Sequence, residues 1–225
     1  MKRNRIYIFI FLIFCFHLNT LFATQQSNIE FKFYYSDSSV NPLAAYSSEW
    51  TRSDYENCNT AKDISYLSSE EKNVIWVLNM MRLNPQLFLS SVLLNPKCEF
   101  YKAEKKRNRY YNSLINDLKS AHPIQSFLNP ELTCYESARC HALSSGEKGY
   151  VGHDRVNKDC KMDFYGECCQ YGYSKGLDVV LDLLLDYDVP SLGHRKICMS
   201  DEYLFVGSSI KPHTVYQFNT VIDFK

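Results

Sequence analysis

Apolar residues recur at helical spacing in the first half of the chain. After Ser68 they return every three or four positions as far as Met81, and Glu71 completes a capping box with Ser68. Pro85 should end this helix and open a further turn. A second, shorter helix is predicted around 111–120. These patterns predict a helical beginning to the folded part of the chain.

Segment 129–149 predicts another helix, which should end at Gly146 or Gly149. Ala138 and Ala142 lie four positions apart in it, and small residues at that spacing allow a neighbouring element to approach closely. We therefore expect this helix to pack on its alanine face.

Segment 175–188, "KGLDVVLDLLLDYD", predicts an amphipathic helix. Asp178, Asp182 and Asp186 form a stripe at four-residue spacing, and leucine and valine cover the other side. One interpretation of Asp186 is therefore a solvated acid on the exposed face of this helix.

Two strands are predicted near the carboxyl terminus, over 202–210 and 214–224, and the "KPH" between them is typical of a hairpin. Helices early in the chain and antiparallel strands late in it favour an α+β sandwich over a parallel α/β sheet. The chain has 225 residues, about 200 without its first 23, which is long enough to form one domain with its own core.

The amino-terminal residues are typical of a secretory signal peptide. A basic "MKRNR" precedes an apolar run that ends at a small residue, so we assign residues 1–23 to the signal. We interpret residues 24–66 as a polar leader arm and residues 67–225 as the domain. The alternative is an uncleaved membrane anchor, but His17 and Asn19 interrupt the apolar run.

Charge excludes some partners. The chain has 25 basic and 25 acidic residues, and loss of residues 1–23 removes three basic residues, which leaves a net charge of −3. This balance argues against a nucleic-acid partner and against an anionic membrane surface. The basic run at 102–109 is interpreted as a solvated surface. No stable membrane span is expected after signal cleavage.

Eight cysteines lie outside the predicted signal, and an even number in an exported chain indicates disulfide bonds. Cys134 and Cys140 are six apart on a predicted helix, roughly 9 Å in rise, so each should pair elsewhere. Cys168 and Cys169 should point to opposite faces of an extended segment. We expect disulfide bonds of these adjacent cysteines and of Cys160 to crosslink the surrounding parts of the fold. The pairing itself cannot be deduced, because eight cysteines allow 105 arrangements. The eight are Cys58, Cys98, Cys134, Cys140, Cys160, Cys168, Cys169 and Cys198.

His153 and His194 lie beside glycines in predicted turns, "VGHDR" and "LGHRK". With Glu167 they form a candidate metal-binding or acid–base set. The alternative is that both are ordinary surface histidines. The chain contains no HExxH, GxSxG, P-loop or GxGxxG motif and no CxxC pair, so those enzyme and zinc-cluster classes have no sequence support. A cysteine nucleophile would compete with disulfide formation.

The order of several short motifs resembles the CAP superfamily, the SCP-like domains of cysteine-rich secretory, antigen 5 and pathogenesis-related proteins, and in particular its bacterial-type branch. The resemblance covers roughly residues 66–225. "GEC" occupies the place where the family usually has Gly-Glu-Asn. The motifs are "NMMRLNPQLF", "LNPELTCYESARCHA", "GHDR", "GEC", "GHRKICM", "VGSSI" and "VIDF".

The resemblance implies a three-layer α-β-α sandwich with an antiparallel sheet, an α+β fold. It also implies a cleft with two histidines and two acids, of which His153, Glu167 and His194 match three. The second acid of the family follows a tryptophan by three residues on the helix before the Gly-His turn. Here Leu183 replaces the tryptophan and Asp186 replaces the glutamate.

Relatives in this family hold a divalent metal, often zinc, between the two histidines. The resemblance therefore implies His153 and His194 as ligands of zinc or another divalent metal. Glu167, with Asp186, would be a ligand, a support for a ligand or a base. Because imidazole binds metal only when neutral, we expect binding to weaken below a pH of about 6.

We expect a secreted, disulfide-stapled binding module rather than an enzyme, located outside the cell or in the cell envelope. Its ligand is an unidentified lipid, glycan or protein. One alternative is a metal-assisted hydrolase, most readily a peptidase, in which Glu167 activates water. The other is a purely structural surface protein.

Overall fold

The computed structural model describes residue 43, residues 49–96, residue 98 and residues 109–225. The predicted signal peptide lies outside the described residues, as do most of the predicted leader arm and nearly all of the basic run at 102–109. Within the described part of the chain, no helix is both long enough and apolar enough to cross a membrane.

Seven α-helices and four β-strands are formed by the described residues. The helices are α1 Arg52–Cys58, α2 Ser69–Leu83, α3 Pro85–Phe88, α4 Arg109–Ser120, α5 Leu132–Lys148, α6 Gly176–Leu185 and α7 Gly193–Cys198. A π-helical turn, Leu89–Leu93, continues α3. The strands are β1 Asn129–Pro130, β2 Gly166–Tyr171, β3 Phe205–His213 and β4 Gln217–Phe224.

The strands form a mixed sheet in the order β1-β3-β4-β2. β4 is antiparallel to both β3 and β2, but β1 runs parallel to β3. The α+β class is therefore confirmed, whereas the expected wholly antiparallel sheet is not found. Asn129 precedes Pro130, and a residue before proline favours an extended backbone. This short stretch therefore pairs with Phe205 and Val206 before α5 begins.

Helix α2 begins as the sequence predicts. The Ser68 side chain accepts a hydrogen bond from the Glu71 backbone, and the Glu71 carboxylate accepts one from the Ser68 backbone. The helix ends at Leu83, and Pro85 occupies the first turn of α3. This reciprocal cap satisfies two backbone donors that have no partner within the helix.

Helix α5 packs closely on one face of the sheet. Ala138 and Ala142 are fully buried and form a small apolar cluster with Cys169 and Val221. A Cβ added to Gly207 of β3 would collide with the α5 backbone. The alanine face therefore makes the close approach that the spacing predicts.

The main core lies on the opposite face of the strands. Cys168, Val206 and Ile222 join it there, with side chains from α2 and α6. Since Cys168 and Cys169 belong to different clusters, their side chains alternate across β2 as predicted.

The described end of the predicted leader arm also enters this core. Tyr55 and Cys58 of α1 are buried in it. The buried amide of Asn79 donates to the carbonyl oxygens of Cys58 at 3.1 Å and Leu128 at 3.0 Å, and it accepts from the Leu128 N–H at 2.8 Å. Asn79 thus links α2 to the arm and to the residue before β1.

A single disulfide, Cys140–Cys160, is present among the described residues. Cys140 therefore pairs outside its own helix, as expected. The disulfides expected at Cys168 and Cys169 are not present in this structure, in which both side chains are buried free thiols. Each packs as a small apolar side chain in its cluster. Cys58, Cys134 and Cys198 are also buried free thiols, so the partner expected for Cys134 is not found in this structure.

Candidate functional site

Two loops bring His153 and His194 together at one surface cleft. His153 follows α5 and His194 lies at the start of α7, yet their ring centroids are 6.1 Å apart and the ring planes are tilted by 35°. Glu167 of β2 and Asp186 after α6 lie directly behind them. All four residues that the sequence singled out for the cleft therefore meet in one place.

Each histidine is hydrogen-bonded to its own buried carboxylate. His153 Nδ1 lies 2.8 Å from Glu167 Oε1, and His194 Nδ1 lies 2.8 Å from Asp186 Oδ1. The imidazoles reach the surface, with 56% and 21% of their side chains exposed, whereas the carboxylates are 5% and 0% exposed. Because an ionised carboxylate only accepts hydrogen bonds, each Nδ1 carries the proton, and in the neutral ring the lone pair is on Nε2.

The loop that presents His153 is held at Gly152. The ring of His141, on α5, donates from Nε2 to the Gly152 carbonyl at 3.0 Å. The Gly152 N–H donates to the hydroxyl of Tyr171 at 2.9 Å. Gly152 has a φ of 134°, a conformation that residues with a side chain rarely adopt. The backbone beside His153 is thus fixed from α5 and from β2.

Asp186 does not lie on the exposed stripe of α6. The helix ends at Leu185, and Asp186 adopts a left-handed conformation with φ 52°. This turn buries its carboxylate, which accepts a second hydrogen bond from the Arg195 backbone N–H at 3.2 Å. The interpretation of Asp186 as a solvated acid is therefore wrong, because the helix stops one residue before it.

The side chain of Arg195 fixes the turn that carries His194 to the end of α6 and to α4. Its guanidinium is buried and donates to the carbonyl oxygens of Leu184 at 2.6 Å and Leu185 at 2.8 Å. It also pairs with Asp117 of α4 at 2.8 Å. Sequence reasoning did not assign this role, although the arginine directly after His194 was the available signal.

Arg155 is a second positioning group that sequence reasoning missed. Its Nη2 donates to Glu167 Oε2 at 2.6 Å, so both carboxylate oxygens of Glu167 are engaged. Burial alone would raise the pKa of Glu167, but the hydrogen bonds from His153 and Arg155 outweigh burial and lower it. The hydrogen bond between His153 and Glu167 also raises the pKa of His153 above its ordinary value. Both shifts favour a charged pair in the absence of other ligands.

A further group behind the cleft could hold a metal ion. His141, Glu167 and Cys169 are buried, and each offers a ligand atom within 4.8 Å of the other two. Burial and the charge of Arg155 lower the pKa of His141, which keeps its ring neutral. Burial and the charge of Glu167 raise the pKa of Cys169 well above its ordinary value. A metal here would have to displace that thiol proton and compete with Arg155 for Glu167.

Comparisons of the chain with protein-family models, with curated proteins and with solved structures found no match. The geometry of the cleft is therefore the observation that bears on function.

Proposed function

We propose that this chain is a secreted binding module of the CAP type, an α-β-α sandwich whose cleft holds a divalent metal through His153 and His194. The observation that carries the proposal is the pair of surface imidazoles, each backed by a buried carboxylate through Nδ1. Metal-binding histidines are commonly oriented in this way, because the carboxylate fixes the ring and makes its other nitrogen more basic.

Zinc is the metal that best suits these donors. Two neutral imidazole nitrogens with carboxylates nearby are donors that zinc prefers, and positions left on the ion could take water or a ligand. The ring centroids, 6.1 Å apart, are close enough for both rings to contact one ion between them. His141 and Cys169 are not required for this arrangement.

The hydrogen bonds and the lowered pKa of Glu167 favour a metal-binding role of the cleft over a hydrolytic one. A general base must accept a proton from water near neutral pH, which requires a pKa close to that pH and an available oxygen atom. Both oxygens of Glu167 already accept hydrogen bonds from cationic or polar donors, and its pKa is lowered. Glu167 therefore serves better to orient His153 than to activate water.

A surface cavity near the His194 turn supports the ligand-binding part of the proposal. Its volume of about 330 Å³ is within the range of small-molecule pockets. The cavity combines a cation, an aromatic ring and apolar walls, and so suits a ligand with both polar and apolar parts. It is lined by Arg109, Tyr110, Ser113, Pro190 and Leu192. The ligand class we propose is a lipid, glycan or protein outside the cell.

Zinc titration by isothermal calorimetry tests the metal site. We expect one zinc ion to bind the wild type and no comparable binding by His153→Ala/His194→Ala. The His122→Ala variant removes an exposed histidine outside the cleft and should bind as the wild type does. Equal heats from the wild type and the double variant would eliminate the proposal.

The Cys169→Ser variant distinguishes the two candidate metal groups. If zinc binds between His153 and His194, this substitution should leave affinity within a few-fold of the wild type. If zinc binds instead to His141, Glu167 and Cys169, loss of the thiol ligand should abolish binding. The second outcome would move the metal out of the proposed cleft.

A further inference from the structure

Cys168 of β2 and Cys198 of α7 meet inside the core. Both are fully buried free thiols. The Cys168 sulfur lies 3.8 Å from the carbonyl oxygen of His194, which is one helical turn before Cys198. Both side chains belong to the same buried core cluster, so the Cys168 thiol and Cys198 are neighbours.

The neighbouring thiol of Cys169 is excluded from this contact by the pleat of the strand. Its side chain points to the other face of the sheet, where the sulfur lies 3.7 Å from His153 Nδ1. Of the two adjacent cysteines in β2, Cys168 alone faces Cys198.

We propose that Cys168 and Cys198 form a disulfide bond when the protein folds in an oxidising environment. Two fully buried cysteines on different elements share one core cluster, and the Cys168 sulfur lies 3.8 Å from the carbonyl oxygen one turn before Cys198. The known crosslink, Cys140–Cys160, joins α5 to the loop between His153 and Glu167. The proposed bond is a separate crosslink between β2 and α7.

This crosslink would join the two halves of the cleft. Cys168 directly follows Glu167, and Cys198 lies one turn after His194 on α7. A covalent bond between them would hold the strand that orients His153 against the helix that carries His194. Formation of this crosslink does not depend on whether the cleft binds metal.

The oxidant is a small-molecule disulfide such as glutathione disulfide. The thiolate of one cysteine attacks a sulfur of the oxidant, which forms a mixed disulfide and releases one glutathione thiolate. The thiolate of the second cysteine then attacks the protein sulfur of that mixed disulfide and expels the second glutathione. Two electrons pass to the oxidant, and the two thiol protons end on two glutathione molecules. Because both cysteines are buried, the exchange takes place before the core closes.

Refolding in a glutathione redox buffer tests the proposal. The reduced, unfolded chain is refolded, the remaining thiols are blocked with N-ethylmaleimide in a denaturant that exposes buried thiols, and tryptic peptides are analysed by mass spectrometry without reduction. We expect peptide 162–175, which contains Cys168, to be linked to peptide 197–225, which contains Cys198. Reduction should release both peptides at their separate masses.

Single variants identify the sulfur involved. Cys169→Ser should retain the crosslink, and Cys168→Ser should lose it. The crosslink should raise the equilibrium constant for folding of the wild type on the order of a hundredfold over Cys198→Ser under the same oxidising conditions. The proposal is overturned if Cys198 is alkylated in refolded protein that has native near-ultraviolet circular dichroism. It is equally overturned if Cys198 is found linked to Cys169.

Discussion

Glu167 of β2 and Asp223 of β4 lie directly opposite one another in the sheet, so two buried carboxyl groups share one position behind the cleft. Arg155 serves both, with Nη2 at 2.6 Å from Glu167 Oε2 and 3.9 Å from Asp223 Oδ2. Ionising both of two adjacent buried carboxyl groups costs free energy through burial and mutual repulsion, and a single guanidinium does not offset that cost. Glu167 takes the charge, while burial and the charge of Glu167 raise the pKa of Asp223.

The Asp223→Asn substitution should change how stability depends on pH in the metal-free protein. With its raised pKa, folded Asp223 retains a proton that the unfolded chain releases above a pH of about 4. The contribution of Asp223 to the stability of the wild type therefore falls as the pH rises toward the pKa that Asp223 has in the folded protein. Asparagine mimics the neutral acid and does not titrate. The free energy of unfolding of the variant minus that of the wild type should therefore be larger at pH 8 than at pH 5. Urea unfolding at both pH values measures this, and an equal difference at the two pH values would contradict it.

Zinc affinity should fall as pH decreases, and the fall should begin above the ordinary histidine pKa of about 6.5. The hydrogen bond from Glu167 raises the pKa of His153, so a proton competes with the metal at higher pH than it would for an unperturbed ring. Glu167→Gln should move this fall to lower pH and should also weaken binding about 10–100-fold at pH 8. Calorimetric titrations from pH 5 to pH 8 provide both values. An unchanged pH midpoint in the variant would show that Glu167 does not control the protonation of His153.

Gly207→Ala should destabilise the fold by about 1–3 kcal/mol. The added Cβ would collide with backbone atoms of Cys134 and Tyr135, which cannot move without shifting α5 from β3. Gly193→Ala is the matched control, because its Cβ would meet only the Ser191 hydroxyl at an ordinary 3.6 Å. Chemical denaturation of the two variants measures the difference, and comparable losses would argue against tight packing at Gly207.

Removal of the Cys140–Cys160 disulfide should lower the free energy of unfolding by about 2–4 kcal/mol. The bond closes a loop with a sequence separation of 20, and without it the unfolded chain gains conformational freedom. Cys140→Ser/Cys160→Ser and the wild type should unfold at the same denaturant concentration in the presence of a reductant. Under oxidising conditions the wild type should be the more stable of the two. Equal stability without reductant would show that the crosslink contributes nothing.

Much of the local structure follows from short-range patterns. The capping box at Ser68 and Glu71, the stop before Pro85 and the packing face of Ala138 and Ala142 were all predicted and are all present. Each depends on residues within a turn or two of one another, where backbone hydrogen bonding and side-chain spacing dominate. The strand at Asn129–Pro130 was missed, because two residues give no periodicity and their partner β3 lies more than 70 positions away.

The residues of the candidate site could be predicted from the sequence, but the residues that position them could not. His153, Glu167 and His194 could be singled out from their turns and their order along the chain. The roles of Arg155, Arg195 and Asp223 depend on which buried groups face them, and that is set by strand register and helix packing.

The sequence by itself determined the longer helices and the two carboxyl-terminal strands, that an α+β fold results and which histidines and acids are candidates for a cleft. Tertiary structure alone decided that Asp186 turns inward to His194 and that Cys168 lies in the same core cluster as Cys198. The physical reason is that propensity and periodicity act over a few residues. The direction of a side chain and the charge that it carries depend instead on burial and on partners from distant parts of the chain.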